Sequence, residues 1–144
     1  MTTVTTIGYQ DRTVEQLIAM LTAADVKVLV DVRLTPLSRK HGLSKNGLAA
    51  RLRDAGIEYL HLPQLGNPRD NRAAFRRGDA AAKERYQAVL ETPQARSALD
   101  ELLWLARQQR VALMCFERDV SECHRSMVVD ALVAEVGTVK IAHL

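Results

Sequence analysis

The sequence predicts one α/β domain over residues 1–144, doubly wound, with a mostly parallel five-stranded sheet and helices on both faces. Its 144 residues and 47% hydrophobic content suit one compact core. Short β-branched apolar runs alternate with segments of helical periodicity, which is the order of a parallel sheet. The runs VKVLVDV and VALMCF are almost continuously apolar, as in strands covered on both faces. We therefore expect these two strands to be neighbours near the centre of the sheet.

Five runs are predicted as strands because β-branched residues are frequent in them and turn or polar residues bound them. They span residues 4–9, 26–32, 58–62, 111–116 and 139–142. A first helix begins after Thr13, which opens a capping box, and a second follows Ser44 and ends at Gly56. Two helices are expected between the third and fourth strands, the later beginning at Pro93, and a last helix is expected over 123–136.

The carboxyl ends of the predicted strands carry most of the chemically reactive side chains. Ligands of open parallel sheets bind outside these ends, where loops converge and helices begin. The candidate catalytic residues there are Asp31, Glu117, Cys123 and His124. The candidate ligand-binding residues are Arg33, Ser38, Arg39, Lys45, His61 and Arg125.

The distribution of charge predicts an anionic partner. The net charge is only +3, but residues 31–53 contain six basic residues and a single acid, Asp31. Such a cluster favours a phosphate-bearing small molecule or nucleic acid. We expect four cations to converge above adjacent strands as a cationic cup: Arg33, Arg39, Lys45 and Arg125. A second basic stretch at 69–85 also holds acids and is interpreted as a solvated surface, and residues 63–78 are a loop, either a lid or an edge crossing.

Two carboxylates and a histidine have specific expected roles. Asp31 closes a buried strand, so it is expected to pair with Arg33 or Arg125, as a catalytic group or as a loop cap. The loop 118–122 is expected to fold back and bring the Glu117 carboxylate and the Arg125 guanidinium into one pocket. His61 ends a strand and acts either as a general base or as a hydrogen-bond partner of a neighbouring loop.

The two cysteines are expected to be reduced, because the N-terminus lacks the pattern of a secretory signal. Cys123 is predicted at a helix N-terminus beside His124 and Arg125, which lowers a thiol pKa and favours a nucleophile, whereas Cys115 is an inert strand residue. A redox pair across the loop stays open. A zinc site formed by Cys115, Glu117, Cys123 and His124 is disfavoured, since adjacent side chains at a helix start diverge and the usual spaced ligand pairs are absent, so no metal site is expected.

Several motifs together resemble one protein family. They are TIGY near the start, DVRxxPxSR at 31–39, GLSK at 42–45, GIxYxHLPxLG at 56–66 and LMCFExxxxxCHR at 113–125. This combination spans nearly the whole chain and is similar to the bacterial and archaeal family called domain of unknown function 488. The resemblance implies an α/β domain whose signature residues lie at the sheet edge described above. It implies no activity, substrate or cofactor.

Three classes of function are compatible with these residues. The first is an enzyme that acts on a nucleotide or nucleic-acid component, with the arginines holding the anion. The second is a non-catalytic module that senses a nucleotide or modified nucleic acid with the same cationic cup. The third is a thiol redox or metal-binding protein. No apolar run approaches the length of a membrane span, so we expect a cytoplasmic protein without a membrane partner.

Overall fold

The computed structural model describes residues 2–137 and 139–144. Within these residues, five strands form one parallel sheet: β1 (Thr2–Gly8), β2 (Val28–Asp31), β3 (Glu58–His61), β4 (Val111–Cys115) and β5 (Val139–His143). The α-helices of the same residues are α1 (Val14–Ala23), α2 (Lys45–Asp54), α3 (Arg72–Arg76), α4 (Ala80–Leu90), α5 (Pro93–Gln108) and α6 (Arg125–Val136). The predicted doubly wound α/β fold is confirmed, and the sheet is parallel in every described pairing.

The order of the strands in the sheet is β3-β2-β4-β1-β5. Strand β4 is central, and β2 pairs with it in parallel register from Val28 opposite Val111 to Asp31 opposite Met114. This confirms that the two most apolar strands are interior neighbours. The carboxyl ends of β2, β4 and β1 therefore lie side by side.

The core has two layers, one on each face of the sheet. Strand side chains alternate between the layers: Val30 packs with residues of α4, α5 and α6, whereas Leu29 packs with residues of α1 and α2. All four residues of β2 are buried, as are all five of β4. Continuous apolar runs thus mark the strands that helices cover on both sides.

Local signals place most helix starts correctly. The capping box at Thr13 is formed, and α5 begins at Pro93 after a Thr92 cap. Three helices, rather than the predicted two, lie between β3 and β4. The last helix begins at Arg125 and not at 123, because Cys123 has an extended backbone after a short 3₁₀ turn at Val120–Glu122. No helix in the described part of the chain is long and apolar enough to cross a bilayer.

Candidate functional site

A cavity of about 240 Å³ opens at the carboxyl edge of the sheet. It lies beyond the ends of the central strands, where ligands of parallel sheets bind. Its wall is formed by side chains from several loops and from α3: Tyr9, Arg33, Thr35, Leu37, Ser38, Asn67, Arg72, Arg76, Cys115, Phe116, Glu117, Glu122 and His124. Four of these are candidate residues predicted from sequence, namely Arg33, Ser38, Glu117 and His124.

Asp31 and Arg33 form a buried ion pair beneath the cavity. Asp31 is fully buried, and Arg33 Nη2 lies 2.7 Å from its Oδ2. Arg33 Nε donates to both carboxylate oxygens, and the Tyr59 hydroxyl donates to Oδ2 at 2.6 Å. Burial alone would lower the pKa of the Arg33 guanidinium, but the hydrogen bonds and charge of Asp31 outweigh it and raise that pKa. The predicted pairing of Asp31 with an arginine is therefore confirmed, and the partner is Arg33.

The four cations of the predicted cup do not converge on the cavity. Arg33 Nη1 donates to the Leu43 carbonyl at 2.8 Å, so this guanidinium is hydrogen-bonded within the protein. Arg125 is fully buried and donates to backbone carbonyls of the loop after β4. Arg39 and Lys45 are exposed, and neither is among the described residues that line the cavity. The buried guanidinium groups of Arg33 and Arg125 thus donate to backbone carbonyls of the chain itself. The predicted convergence of the four cations is therefore not observed.

Two arginines missed by the sequence interpretation face the cavity instead. Arg72 and Arg76 lie four positions apart, on one face of α3. Arg76 Nη2 lies 3.0 Å from Glu117 Oε1, and the arginine side chain is 46% exposed. The spacing of the two arginines is a usable signal, but the acids of the same stretch, Asp70, Asp79 and Glu84, favour its interpretation as a solvated surface.

Glu117 occupies the cavity wall as expected, but its partner differs from the prediction. The loop folds back over β1, since a Cβ on Gly8 would overlap the Glu117 carbonyl. Arg125 donates to that carbonyl and, at 3.1 Å, to the carbonyl of Arg118. Glu117 is 7% exposed, and its carboxylate pairs with Arg76. The expected ion pair between the Glu117 carboxylate and Arg125 is therefore absent, and Arg125 instead holds the loop through hydrogen bonds to its backbone carbonyls.

The two cysteines are joined by a disulfide between Cys115 and Cys123. The structure is therefore that of the oxidised chain, which differs from the expectation of reduced thiols, and a nucleophilic role of Cys123 stays a prediction for the reduced chain. The physical reason is the path of the loop: the 3₁₀ turn brings Cys123 back over the end of β4, where Cys115 lies. Both residues are 1% exposed.

His124 is held in one orientation beside the sulfurs. Its Nε2–H donates to the Val32 carbonyl at 2.8 Å, which leaves Nδ1 as an acceptor, 3.7 Å from Cys123 Sγ. Burial lowers the pKa of His124 to about 4, so the ring is neutral at pH 7. The ligand atoms of Cys115, Cys123 and His124 all lie within 4.8 Å of one another. The predicted divergence of these side chains is wrong, because Cys123 precedes the helix.

His61 and Ser38 hold loops in place. His61 Nε2–H donates to the Arg33 carbonyl at 2.7 Å, the loop contact that was one of its two expected roles. The Ser44 hydroxyl donates to the Ser38 carbonyl at 3.2 Å and accepts from the Ser38 N–H at 3.0 Å. Ser38 also lines the cavity. Both residues therefore shape the segment after β2 on which the cavity depends.

Comparison with known proteins gives a family and no characterised relative. No curated protein and no solved structure matches the chain significantly. The family model described as "Domain of unknown function DUF488" matches residues 13–132, which is most of the chain and includes every candidate site residue. The matched segment runs from the capping box of α1 into α6. The chain belongs to the DUF488 family.

Proposed function

We propose that this protein binds a phosphate-bearing ligand, a nucleotide or nucleic-acid component, in the cavity at the carboxyl edge of its sheet. The observation that carries the proposal is the pair Arg72 and Arg76, which enter the cavity from one face of α3. Arginine presents five N–H donors in a planar fork that matches a phosphate group. A cavity of about 240 Å³ favours a small ligand component over a dinucleotide.

The surroundings of the two arginines support this ligand class. Arg76 has an ion pair only with Glu117 among the described residues, and that pair uses one of its nitrogens. Phe116 lies beneath the guanidinium, 6.0 Å from ring centroid to Cζ, and Tyr9 packs edge-on against Phe116. A cationic side and an aromatic side thus meet in one cavity. A nucleotide has groups that suit both sides, a phosphate for the cations and a planar aromatic base that can stack on aromatic side chains.

Neutralising the cavity arginines is expected to weaken ligand binding. Arg72→Gln and Arg76→Gln each remove charge-assisted hydrogen bonds, for which a loss of about tenfold or more in affinity is expected. The measurement is calorimetric titration with inorganic phosphate and with nucleoside mono-, di- and triphosphates. The control is Arg77→Gln, since Arg77 directly follows α3 and its exposed side chain pairs with Asp79. Unchanged binding by the Arg72→Gln/Arg76→Gln protein, or an equal loss in the control, would contradict the proposal.

The position of Glu117 favours a catalytic function of this cavity over a sensing function. Its carboxylate is nearly buried, lines the cavity and is held by Arg76, as a general acid or base requires. Glu117→Gln is expected to keep ligand affinity and melting temperature close to wild type. It is expected to lower turnover by about 10²–10⁴-fold, since an amide keeps the shape but cannot exchange the proton. Turnover is followed by chromatography of nucleotides incubated with each protein. Equal turnover by wild type and variant would remove Glu117 from catalysis, and no turnover by wild type would favour a sensing module.

A further inference from the structure

We propose that the reduced chain binds one zinc ion through Cys115 Sγ, Cys123 Sγ and His124 Nδ1. The three ligand atoms already lie within 4.8 Å of one another in the disulfide form. In a tetrahedral zinc site, Zn–S and Zn–N bonds of about 2.3 and 2.0 Å place sulfur and nitrogen about 3.5 Å apart. The separation of Cys123 Sγ and His124 Nδ1 is 3.7 Å.

The groups around the three ligands are those that a metal site requires. The His124 Nε2–H bond to the Val32 carbonyl fixes the ring with Nδ1 toward the sulfurs, an arrangement usual for metal-bound histidine. The Arg125 backbone N–H points at Cys123 Sγ at 3.4 Å, and Arg125 Nη1 lies 3.0 Å from Cys115 Sγ. Both donors stabilise sulfur as thiolate, the form that binds metal.

Two thiolates neutralise Zn²⁺, so the ion and its two sulfur ligands carry no net charge. The Arg125 guanidinium lies beside one of these sulfurs, and the Glu117 carboxylate, which pairs with Arg76, has its Oε2 3.6 Å from Cys115 Sγ. Cys115, Glu117 and His124 also line the cavity. A three-ligand site beside an open cavity leaves the fourth position of a tetrahedral ion for water or a ligand. The zinc ligands are different residues from the arginines of α3 that carry the proposed phosphate site, so either proposal can fail without the other, although both sites adjoin one cavity.

Zinc binding follows reduction of the disulfide. A trialkylphosphine attacks one sulfur and breaks the S–S bond, and water then supplies the phosphine-oxide oxygen and the two thiol protons. The phosphorus is oxidised, and the disulfide is reduced by two electrons to two thiols. Zn²⁺ displaces the two protons when the thiolates bind it. The oxidised chain lacks both thiolates and so lacks the site.

The test is elemental analysis and cobalt spectroscopy of the full chain. Protein treated with trialkylphosphine, incubated with zinc and passed through gel filtration is expected to retain about one zinc per chain, and oxidised protein almost none. Cobalt(II) is expected to give a thiolate charge-transfer band and the intense visible absorption of tetrahedral coordination. Cys123→Ser and His124→Gln are expected to lower zinc affinity by about a hundredfold or more.

His41→Gln is the matched control, because His41 is exposed and lies outside the cluster. Circular dichroism verifies that each variant is folded. Comparison of the oxidised and reduced wild-type protein needs no variant, so the inference stays testable if a substitution prevents folding. Retention of little or no zinc by the reduced protein overturns the inference. So does equal retention by the oxidised protein, or a loss in His41→Gln that equals the loss in His124→Gln.

Discussion

Replacement of Asp31 by alanine is expected to lower the free energy of unfolding by about 3–5 kcal/mol, the usual result of breaking a buried ion pair. Asp31 is fully buried and accepts hydrogen bonds from Arg33 and Tyr59. Without it, the Arg33 guanidinium stays in the interior with no opposing charge, since its side chain is only 5% exposed. The measurement is urea unfolding followed by circular dichroism.

A double substitution separates the cost of the unpaired charge from the value of the pair. Asp31→Leu/Arg33→Met removes both charges and is expected to be more stable than Asp31→Ala, because no isolated buried charge remains. The surface pair between Glu15 and Arg51 provides the control, and Glu15→Ala is expected to change stability little. A small effect of Asp31→Ala, similar to that of Glu15→Ala, would show that the buried pair does not hold the segment after β2.

Replacement of Arg125 by methionine is expected to release the loop after β4. Arg125 is fully buried and donates to the carbonyls of Glu117 and Arg118. Burial lowers the pKa of its guanidinium to about 10, with the charge of Glu117 opposing that change, so the group is a cation at pH 7. The buried Glu117 carbonyl that loses its donor costs about 1–3 kcal/mol, and the part-buried Arg118 carbonyl costs less, so the chain is expected to be less stable and the loop more open.

Hydrogen exchange measured by mass spectrometry checks this role. Amides of residues 117–123 are expected to exchange faster in Arg125→Met, while those of β2 keep their protection until global unfolding. Arg107→Met serves as the control, because Arg107 is an exposed residue of α5. Unchanged exchange in the loop of Arg125→Met would mean that the guanidinium is not what holds Glu117 at the cavity.

The fold could be predicted because its signals are local and repeated. The continuous apolar runs of β2 and β4 identify interior strands, and the caps at Thr13 and Thr92 identify helix starts. The position of the site followed from one topological rule, that loops at the carboxyl edge of a parallel sheet converge. Of the candidate residues that this rule selects, Glu117 and His124 line the cavity, and Asp31 is buried in an ion pair with Arg33, which also lines it.

The partners within the site could not be predicted, because they depend on distances between side chains that are remote in sequence. Arg125 clamps backbone carbonyls rather than a ligand, and Glu117 pairs with Arg76, forty-one positions earlier. The contact between Cys115 and Cys123 depends on the 3₁₀ turn at Val120–Glu122, and the spacing of apolar residues in the sequence does not predict this turn. The count of charged residues along the sequence likewise favours residues 31–53 as the anion-binding region, whereas the arginines that line the cavity lie on α3.

The most direct test of the account is a crystal structure of the protein soaked with tungstate, a tetrahedral anion whose anomalous scattering locates it without ambiguity. The account predicts its strongest peak in the cavity, with the tungstate oxygens within about 3 Å of guanidinium nitrogens of Arg72 and Arg76. A cavity without a peak, with tungstate bound instead at the exposed Arg39 and Lys45, would contradict the claim that this cavity binds phosphate.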